Sequence, residues 1–261
     1  MDFTVKIYRS FLESLLEAKY SFLSFNEYFI SLLPNKLVVL RHDVDLLPFN
    51  SLRTARLEHE LGIKGVYYFR AVPESWNESI IKEVAELGHE VGYHYENLTT
   101  CKGDVAKAYI DFKNNLSNLR KLVDVKTICM HGSPRSPYDS KDIWKKYSYR
   151  DLGIVGEPYL DTDFTKMFYL TDTGRRWDGY KVSVRDKIED FQEEWNKKGL
   201  IFHTTKELTA AINAGKMPDK VMITVHPQRW NRFGAKWIKE LVLQNLKNGV
   251  KKFMVKSHKR I

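Results

Sequence analysis

Residues 36–45, KLVVLRHDVD, form an apolar run that ends in two carboxylates. Branched apolar residues between proline-containing turns predict a buried strand, and alternate side chains of a strand point to the same face. Arg41, Asp43 and Asp45 therefore share one face of this predicted strand. Two carboxylates at the end of a buried strand are costly to desolvate unless partners compensate them. Arg41 can compensate one of them, whereas a divalent metal together with a general-base role accounts for both.

The rest of the chain alternates strand and helix patterns, which predicts an α/β fold with a parallel sheet and right-handed crossovers. The chain has 261 residues, 43% of them hydrophobic and 13% aromatic, so it can bury a large core. No linker or repeat interrupts it, and we expect a single domain over residues 1–261. The predicted strands are residues 36–45, 65–70, 90–95, 126–131, 181–184, 200–202 and 220–226, with short ones near Ile154 and at 168–170; the predicted helices are residues 3–20, 24–33, 50–62, 77–88, 105–123, 143–147, 206–214 and 235–247.

The chain is basic, since 42 Lys and Arg against 33 Asp and Glu give a formal charge of +9 and a pI of about 9.3. This surplus favours acidic partners such as phosphorylated sugars, anionic lipid or nucleic acid. No aromatic-basic motif points to nucleic acid, so a nucleic-acid or membrane-surface partner is the weakest of the function hypotheses. Two cysteines make neither a disulfide framework nor a metal knuckle. No secretory apolar segment and no membrane-spanning run occurs, which predicts a cytoplasmic protein.

Polar residues gather at the ends of the predicted strands. They are Asp43, Asp45, His94, Glu96, His131 and His226. In parallel α/β barrels the functional site forms at the carboxyl ends of the strands, from residues of several strands. A single histidine at such an end is more often structural, but three of them with an aspartate pair are harder to explain in that way. Neutral imidazole and carboxylate are ligands that suit zinc or another first-row divalent metal.

The same residues carry a family resemblance. An Asp-x-Asp sequence follows the first strand, Gly-His-Glu-Val-Gly-Tyr-His ends at His94, and Val-His-Pro contains His226. This order resembles the polysaccharide deacetylase (NodB-homology) family over roughly residues 38–230. The resemblance implies a distorted (β/α)7 barrel, here with an N-terminal helical extension, and metal-dependent hydrolysis of amides and esters, mostly of N-acetylated sugars.

The resemblance also implies roles for individual residues. Asp43 matches the general base of the family. The metal-binding position of the family falls on Val44, which cannot bind, or on Asp45, displaced by one residue. His226 resembles the general acid for the leaving amine.

One departure concerns the second motif, in which the family has two metal-binding histidines four residues apart. At that spacing from His94 this sequence has Leu98. We expect His131 to supply the missing ligand, with Glu96 as the second candidate and otherwise a substrate contact. The predicted metal ligands are therefore Asp45, His94 and His131, and zinc is the expected ion.

Arginines and one tryptophan suggest how substrate is held. Arg135 stands in the loop where the family carries a substrate-binding segment, and Trp177, in the polar stretch of residues 171–178, is a candidate platform for a sugar ring. Four arginines near strand ends would suit an anionic group, although they can equally pair with nearby acids such as Asp172 and Asp178. They are Arg135, Arg175, Arg176 and Arg229.

Together these features predict a metal-dependent hydrolase that removes an acyl group, expected to be N-acetyl, from a sugar derivative in surface-polysaccharide or envelope synthesis. The substrate is expected to be an acylated sugar, with a nucleotide or a lipid phosphate as a candidate anionic carrier. The alternative is a catalytically silent barrel that binds a carbohydrate or phosphosugar, which the absent second histidine supports.

Overall fold

The computed structural model describes residues 1–133, 136–177 and 188–258, and these contain a seven-stranded sheet in which every pairing is parallel. The strand order is β5-β4-β3-β2-β7-β6, and β1 pairs with β2. The sheet curls into an incomplete barrel surrounded by helices, which confirms the predicted α/β class. The strands are β1 (Ser21–Leu23), β2 (Leu37–Val44), β3 (Val66–Phe69), β4 (Glu90–Tyr95), β5 (Ile128–Met130), β6 (Phe168–Thr171) and β7 (Lys220–Val225).

Ten α-helices connect and flank these strands in the described part of the chain. They are α1 (Val5–Glu17), α2 (Phe25–Ile30), α3 (Pro48–Glu60), α4 (Glu78–Glu86), α5 (Asn97–Thr100), α6 (Val105–Arg120), α7 (Pro158–Asp161), α8 (Glu189–Lys197), α9 (Thr205–Asn213) and α10 (Ala235–His258). Short 3-10 helices cover Ser140–Lys145, Arg150–Leu152 and Pro227–Arg229. Among the described residues, no helix combines the length and the apolar content that a membrane crossing requires.

The central strand β2 is buried along its whole length, as its apolar sequence predicts. Its first half packs in a core with α1, α9, β6 and β7, while a second core joins β3, β4 and β5 to α3, α4 and α6. The predicted N-terminal helix is confirmed, because the apolar side of α1, with Tyr8, Phe11, Leu12 and Leu15, is buried. The fold therefore buries β2 between two cores and leaves its carboxyl end on the side of the sheet where the parallel strands end.

Several sequence-based boundaries were wrong. Strand β1 was not predicted, because three residues give too short a pattern to detect, and α8 was missed as well. The strands predicted near Ile154 and at residues 200–202 do not form; near Ile154 only an isolated bridge between Thr127 and Gly156 occurs. Helix α10 continues well past the predicted end at residue 247. The strand predicted at residues 181–184 lies outside the described residues.

The start of α3 corrects a capping prediction. Asn50 was expected to cap this helix, but the N-cap is Leu47, in the left-handed region with φ of 56°, and Pro48 occupies the first turn. Proline suits that turn because its missing N–H has no helical partner there. The Asn50 side chain instead donates to Pro227 O and Asn231 Oδ1 at 3.3 and 3.2 Å. This contact ties the first turn of α3 to the segment after β7.

Candidate metal and catalytic site

The carboxyl ends of the parallel strands bring the predicted site residues together. His94 lies in β4, while Asp45, His131 and His226 directly follow β2, β5 and β7. The pairing of β4 with β5 continues to His131, whose N–H donates to Tyr95 O at 2.8 Å. Because these strands are neighbours in register, side chains far apart in sequence converge at one edge of the sheet.

Asp45, His94 and His131 form a group that could hold a metal ion, with one ligand atom of each within 4.8 Å of the others. Asp45 Oδ1 lies 3.7 Å from His94 Nε2 and 3.5 Å from His131 Nε2. These separations are too long for good hydrogen bonds. They suit a shared ion, since two ligands at about 2.1 Å from a tetrahedral metal lie roughly 3.4 Å apart.

The hydrogen bonds behind the two imidazoles support the same interpretation. His94 Nδ1 lies 2.9 Å from the carbonyl oxygen of Cys129, and His131 Nδ1 lies 2.9 Å from Glu96 Oε2. A carbonyl and a carboxylate only accept, so each Nδ1 carries the proton. In the neutral rings, both Nε2 lone pairs then face Asp45 Oδ1, a buried oxygen without a hydrogen-bond partner in the described structure. A cation between these three atoms would satisfy all of them.

Arg41 settles which carboxylate of the first motif is neutralised by an ion pair. Its Nε and Nη2 donate to the two oxygens of Asp43 at 2.8 and 2.6 Å, and its Nη2 also reaches Tyr159 Oη at 3.0 Å. Burial alone would raise the pKa of Asp43, but the Arg41 guanidinium and His94 hold it below its ordinary value. The ion pair with Arg41 thus compensates Asp43, whereas no arginine in the described part of the chain pairs with the Asp45 side chain.

A second possible ligand group contains Asp43, His94 and Cys129. Both oxygens of Asp43 already accept hydrogen bonds from Arg41, and the carbonyl of Cys129 holds His94 at Nδ1. The group with Asp45 has a free acceptor and two available Nε2 atoms, so it is the better candidate.

Glu96 lies behind His131 and is fixed by Arg70. Arg70 Nε and Nη2 donate to Glu96 Oε1 at 2.9 and 2.6 Å, while Arg70 Nη1 donates to the carbonyl oxygen of Asp45 at 3.0 Å. Burial alone would raise the pKa of Glu96, but His131 and Arg70 bring it down to about 2. With one oxygen on Arg70 and the other on His131, Glu96 supports the imidazole, while its predicted contact with substrate stays a prediction.

His226 faces the same site from β7 and is held by Asp172, the residue after β6. Asp172 accepts from His226 N, from Trp230 Nε1 and from Arg229 Nη1, and its Oδ1 lies 2.6 Å from His226 Nδ1. Burial and Arg229 would lower the pKa of His226, but Asp172 and Asp45 raise it above its ordinary value. Its Nε2 lies 3.9 Å from Asp45 Oδ2, so a raised-pKa imidazole borders the proposed metal ligand.

The predicted sugar platform was wrong. Trp177 is only 3% exposed, and its indole packs in the core against Phe3, Phe11 and Trp230 at centroid distances of 6.3, 5.3 and 6.1 Å. Its Nε1 donates to Thr205 Oγ1 at 3.0 Å. An indole ring that is buried to this extent has no face left for a sugar. Phe11 of α1 covers it, a contact that the local sequence around Trp177 does not reveal.

Two of the four arginines form ion pairs with acidic residues of the protein. Arg229 is paired with Asp172, and Arg175 is paired with Glu240 and lies over the rings of Phe3 and Trp237. These two are therefore engaged by the protein itself. Arg176 Nη2 lies 2.8 Å from His203 Nδ1, away from the strand-end histidines. Arg135 lies outside the described residues.

Sequence reasoning missed three supporting residues. Asp172 was considered only as a partner for arginines, yet it comes two residues after the strand predicted at 168–170, and the position after a strand is the signal that identified the other site residues. Arg70 also follows a strand, β3. Gln228 donates to Asp45 Oδ2 at 3.1 Å, and the sequence signal for it was only its proximity to His226.

The sequence matches no protein-family model and no curated protein. It is similar to solved structures at low identity. The family 4 carbohydrate esterase PdaA of Bacillus subtilis is 10% identical, with a TM-score of 0.42 over 91% of this chain and 83% of that one. The catalytic domain of a peptidoglycan N-acetylglucosamine deacetylase of Eubacterium rectale is 12% identical, with a TM-score of 0.43 over 83% and 86%.

A family 4 pseudoenzyme of Bacillus anthracis is also similar, at 12% identity and a TM-score of 0.44 over 83% of this chain and 62% of that one. Two of the three structures are thus named as members of carbohydrate esterase family 4, and the third as a deacetylase. At this level of similarity, the activity of the present chain is inferred from the chemistry of its own side chains.

Proposed function

We propose that this protein is a metal-dependent hydrolase that removes an acyl group from a sugar derivative. The observation that carries the proposal is the unsatisfied Oδ1 of Asp45, which faces the Nε2 atoms of His94 and His131. A carboxylate and two imidazoles with protonated Nδ1 atoms are a ligand set for zinc or a similar ion. The family resemblance of the motifs and the names of the similar structures support a sugar as the molecule to which the acyl group is attached.

A divalent ion held by Asp45, His94 and His131 would polarise the acyl carbonyl and increase the acidity of a bound water. Asp43 would take a proton from that water, a role supported by the 3.7 Å between its Oδ2 and His94 Nε2. Its lowered pKa keeps it ionised at neutral pH.

The protein also offers a proton donor for the leaving group. His226 hydrogen-bonds Asp172 through Nδ1, which leaves Nε2 directed towards Asp45. Because its pKa is raised, the imidazole is more readily protonated at neutral pH than an ordinary histidine. A protonated Nε2 can donate to a departing amine or alkoxide, the role of a general acid. In this proposal Asp43 is the general base and His226 is the general acid.

A second candidate function is a catalytically silent barrel that binds a carbohydrate. The bidentate bond from Arg41 favours it, since a carboxylate with both oxygens engaged and a lowered pKa is a weaker base. In either case we do not extend the proposal to an anionic carrier, because Arg175 and Arg229 are already paired with Glu240 and Asp172.

Metal analysis and acetate release test the proposal together. Protein purified without chelator is expected to carry about one divalent ion per chain, and His94→Ala should lose it, while His59→Ala, on the outer surface of α3, should not. Release of acetate should be measured from a neutral chitooligosaccharide and from nucleotide sugars at two salt concentrations.

The variant Asp43→Asn separates the two candidate functions. If Asp43 is the base, this change should lower turnover about 10²- to 10⁴-fold and leave metal content intact. A wild-type protein that binds metal and oligosaccharide but releases no acetate would instead identify the silent barrel. If the Asp43→Asn protein instead carries no metal, Asp43 is a metal ligand, and its assignment as the base is contradicted.

A further inference from the structure

Helix α10 has an inner face that packs on the rest of the protein. Trp237 and Gln244 are buried, and Trp237 Nε1 donates to the carbonyl oxygen of Asp2 at 2.9 Å. Glu240 forms an ion pair with Arg175. These contacts fix the rotation of the first half of the helix, so its opposite side has to face outward.

That outer side carries an apolar stripe without a partner among the described residues. Ile238, Val242 and Leu246 follow each other at intervals of four and are 49%, 53% and 66% exposed. Residues four apart lie on one side of a helix, so the three side chains form a continuous strip. Leu243 and, just before the helix, Phe233 add further exposed apolar surface. Exposed apolar patches of this kind mark sites of interaction.

The polar residues around the stripe are basic. Lys236, Lys239 and Lys247 are exposed on the same helix, while the acid nearest to them in sequence, Glu240, is taken up by Arg175. The sequence contains no Asp or Glu after Glu240, and it has six basic residues there. These are Lys247, Lys251, Lys252, Lys256, Lys259 and Arg260.

We propose that the outer face of α10 docks this protein on a membrane surface that carries anionic lipid headgroups. A basic amphipathic helix lies in the interface, with its apolar strip in the acyl boundary and its lysines at the headgroups. A second copy of the chain fits less well, because pairing two such faces would bring lysines of like charge together. The inference is independent of the hydrolase proposal, since no site residue takes part in it.

Co-sedimentation with vesicles tests the docking. Full-length protein is mixed with vesicles of phosphatidylcholine alone, or with phosphatidylglycerol added, at low and at high salt. Binding is expected only with phosphatidylglycerol, and it should weaken at high salt because the attraction is screened. Each lysine near such a surface raises partitioning roughly fivefold. The triple variant Lys236→Gln, Lys239→Gln, Lys247→Gln should therefore bind on the order of 100-fold more weakly.

Matched controls separate this surface from net charge and from folding. The variant Lys82→Gln, Lys113→Gln, Lys121→Gln removes the same charge from exposed positions elsewhere. Lys82 lies on α4, Lys113 on α6 and Lys121 directly after α6. This variant should bind nearly as well as wild type. The variant Val242→Asp, Leu246→Asp should lose binding, while Leu32→Asp, at an exposed leucine between α2 and β2, should keep it. Thermal melting should be close to wild type for all four, because each change is at an exposed position.

Three outcomes would overturn the proposal. One is no binding to either vesicle, and another is equal loss of binding in the control lysine variant. The third is a wild-type dimer that becomes monomeric in Val242→Asp, Leu246→Asp without any vesicle binding, which would identify a second copy as the occupant of the face.

Discussion

At the residue scale, the site depends on which hydrogen bond each titratable group makes. Asp43 is committed to Arg41, Asp172 to His226, and Glu96 to His131, whereas Asp45 Oδ1 has no donor among the residues that the structure describes. Three carboxylates thus orient or balance their neighbours, and the fourth is available to a cation. This division explains why only one aspartate of the Asp-x-Asp motif is proposed as a ligand.

The support that Glu96 gives His131 can be tested by metal affinity. Glu96→Gln replaces the carboxylate that holds the Nδ1 proton of His131, and Arg70 loses its ion pair. Removal of such a supporting partner typically weakens metal binding 10- to 100-fold. Titration with zinc in a chelator-buffered solution should show this change, whereas Glu86→Gln, on the exposed surface of α4, should not. Unchanged affinity in Glu96→Gln would mean that Glu96 does not position the ligand.

The pH dependence of the proposed reaction follows from His226. A group with a raised pKa stays protonated up to a higher pH, so kcat/KM should fall on the alkaline side as His226 loses its proton. Asp43 has a lowered pKa, so no acid limb is expected from it until well below neutral pH. Asp172→Asn removes the main cause of the raised pKa and should move the alkaline limb to lower pH. An alkaline limb that does not move in this variant, with metal content preserved, would exclude His226 as the acid.

At the element scale, a buried polar cluster connects α1, β2, α3 and β3 behind the site. Glu58 accepts from Tyr8 Oη at 2.6 Å and from Tyr67 Oη at 3.0 Å, and its Oε1 lies 2.9 Å from His42 Nε2. His42 also stacks on the ring of Tyr67 with a centroid distance of 3.9 Å. These groups come from four elements, so the cluster holds α1 and α3 against the strand that carries Asp43 and Asp45.

Loss of the charge on Glu58 should destabilise the fold. Burial alone would raise the pKa of Glu58, but His42, His89 and Tyr8 hold it below its ordinary value. Such a group contributes stability above its unfolded pKa, and that contribution is lost as the pH falls through the folded pKa. Glu58 accepts hydrogen bonds from two tyrosines, and a hydrogen bond to a charged group contributes about 1.5 to 3 kcal/mol. Glu58→Gln should therefore lower the free energy of unfolding by roughly 3 kcal/mol at neutral pH.

Denaturant unfolding at several pH values measures this effect. The difference between wild type and Glu58→Gln should shrink in acid, and Tyr8→Phe, which removes a single donor to this carboxylate, should cost only about 1.5 kcal/mol at neutral pH. A Glu58→Gln protein as stable as wild type at neutral pH would contradict the role given to the cluster.

At the scale of the whole molecule, metal binding should couple to folding stability. Ligands that come from β2, β4 and β5 are held together only in the folded chain, so an ion bound there stabilises the native state. At a free metal concentration 100 times Kd, the gain is about 2.7 kcal/mol. Chelator should therefore lower Tm and added zinc should restore it, with no such response in His94→Ala. A Tm that ignores both chelator and zinc would contradict a metal bound by this group.

The sequence by itself determined the α/β class and the edge of the sheet at which the polar residues meet. It could do so because β2 and β7 have strong apolar patterns, and parallel strands place their carboxyl ends on the same side of the sheet. Asp45, His94, His131 and His226 follow from that rule alone. The short β1 could not be found in this way, because its three residues contain no usable period.

Only the tertiary structure decided how the polar groups pair. Arg70 meets Glu96 and Asp172 meets His226 across 26 and 54 residues of sequence, and no local pattern encodes such contacts. Trp177 stands in a polar stretch, yet it is buried because α1 and Trp230 pack against it. Local periodicity specifies where a strand ends, whereas the packing of distant elements determines which side chains are buried and which polar atoms find a hydrogen-bond partner.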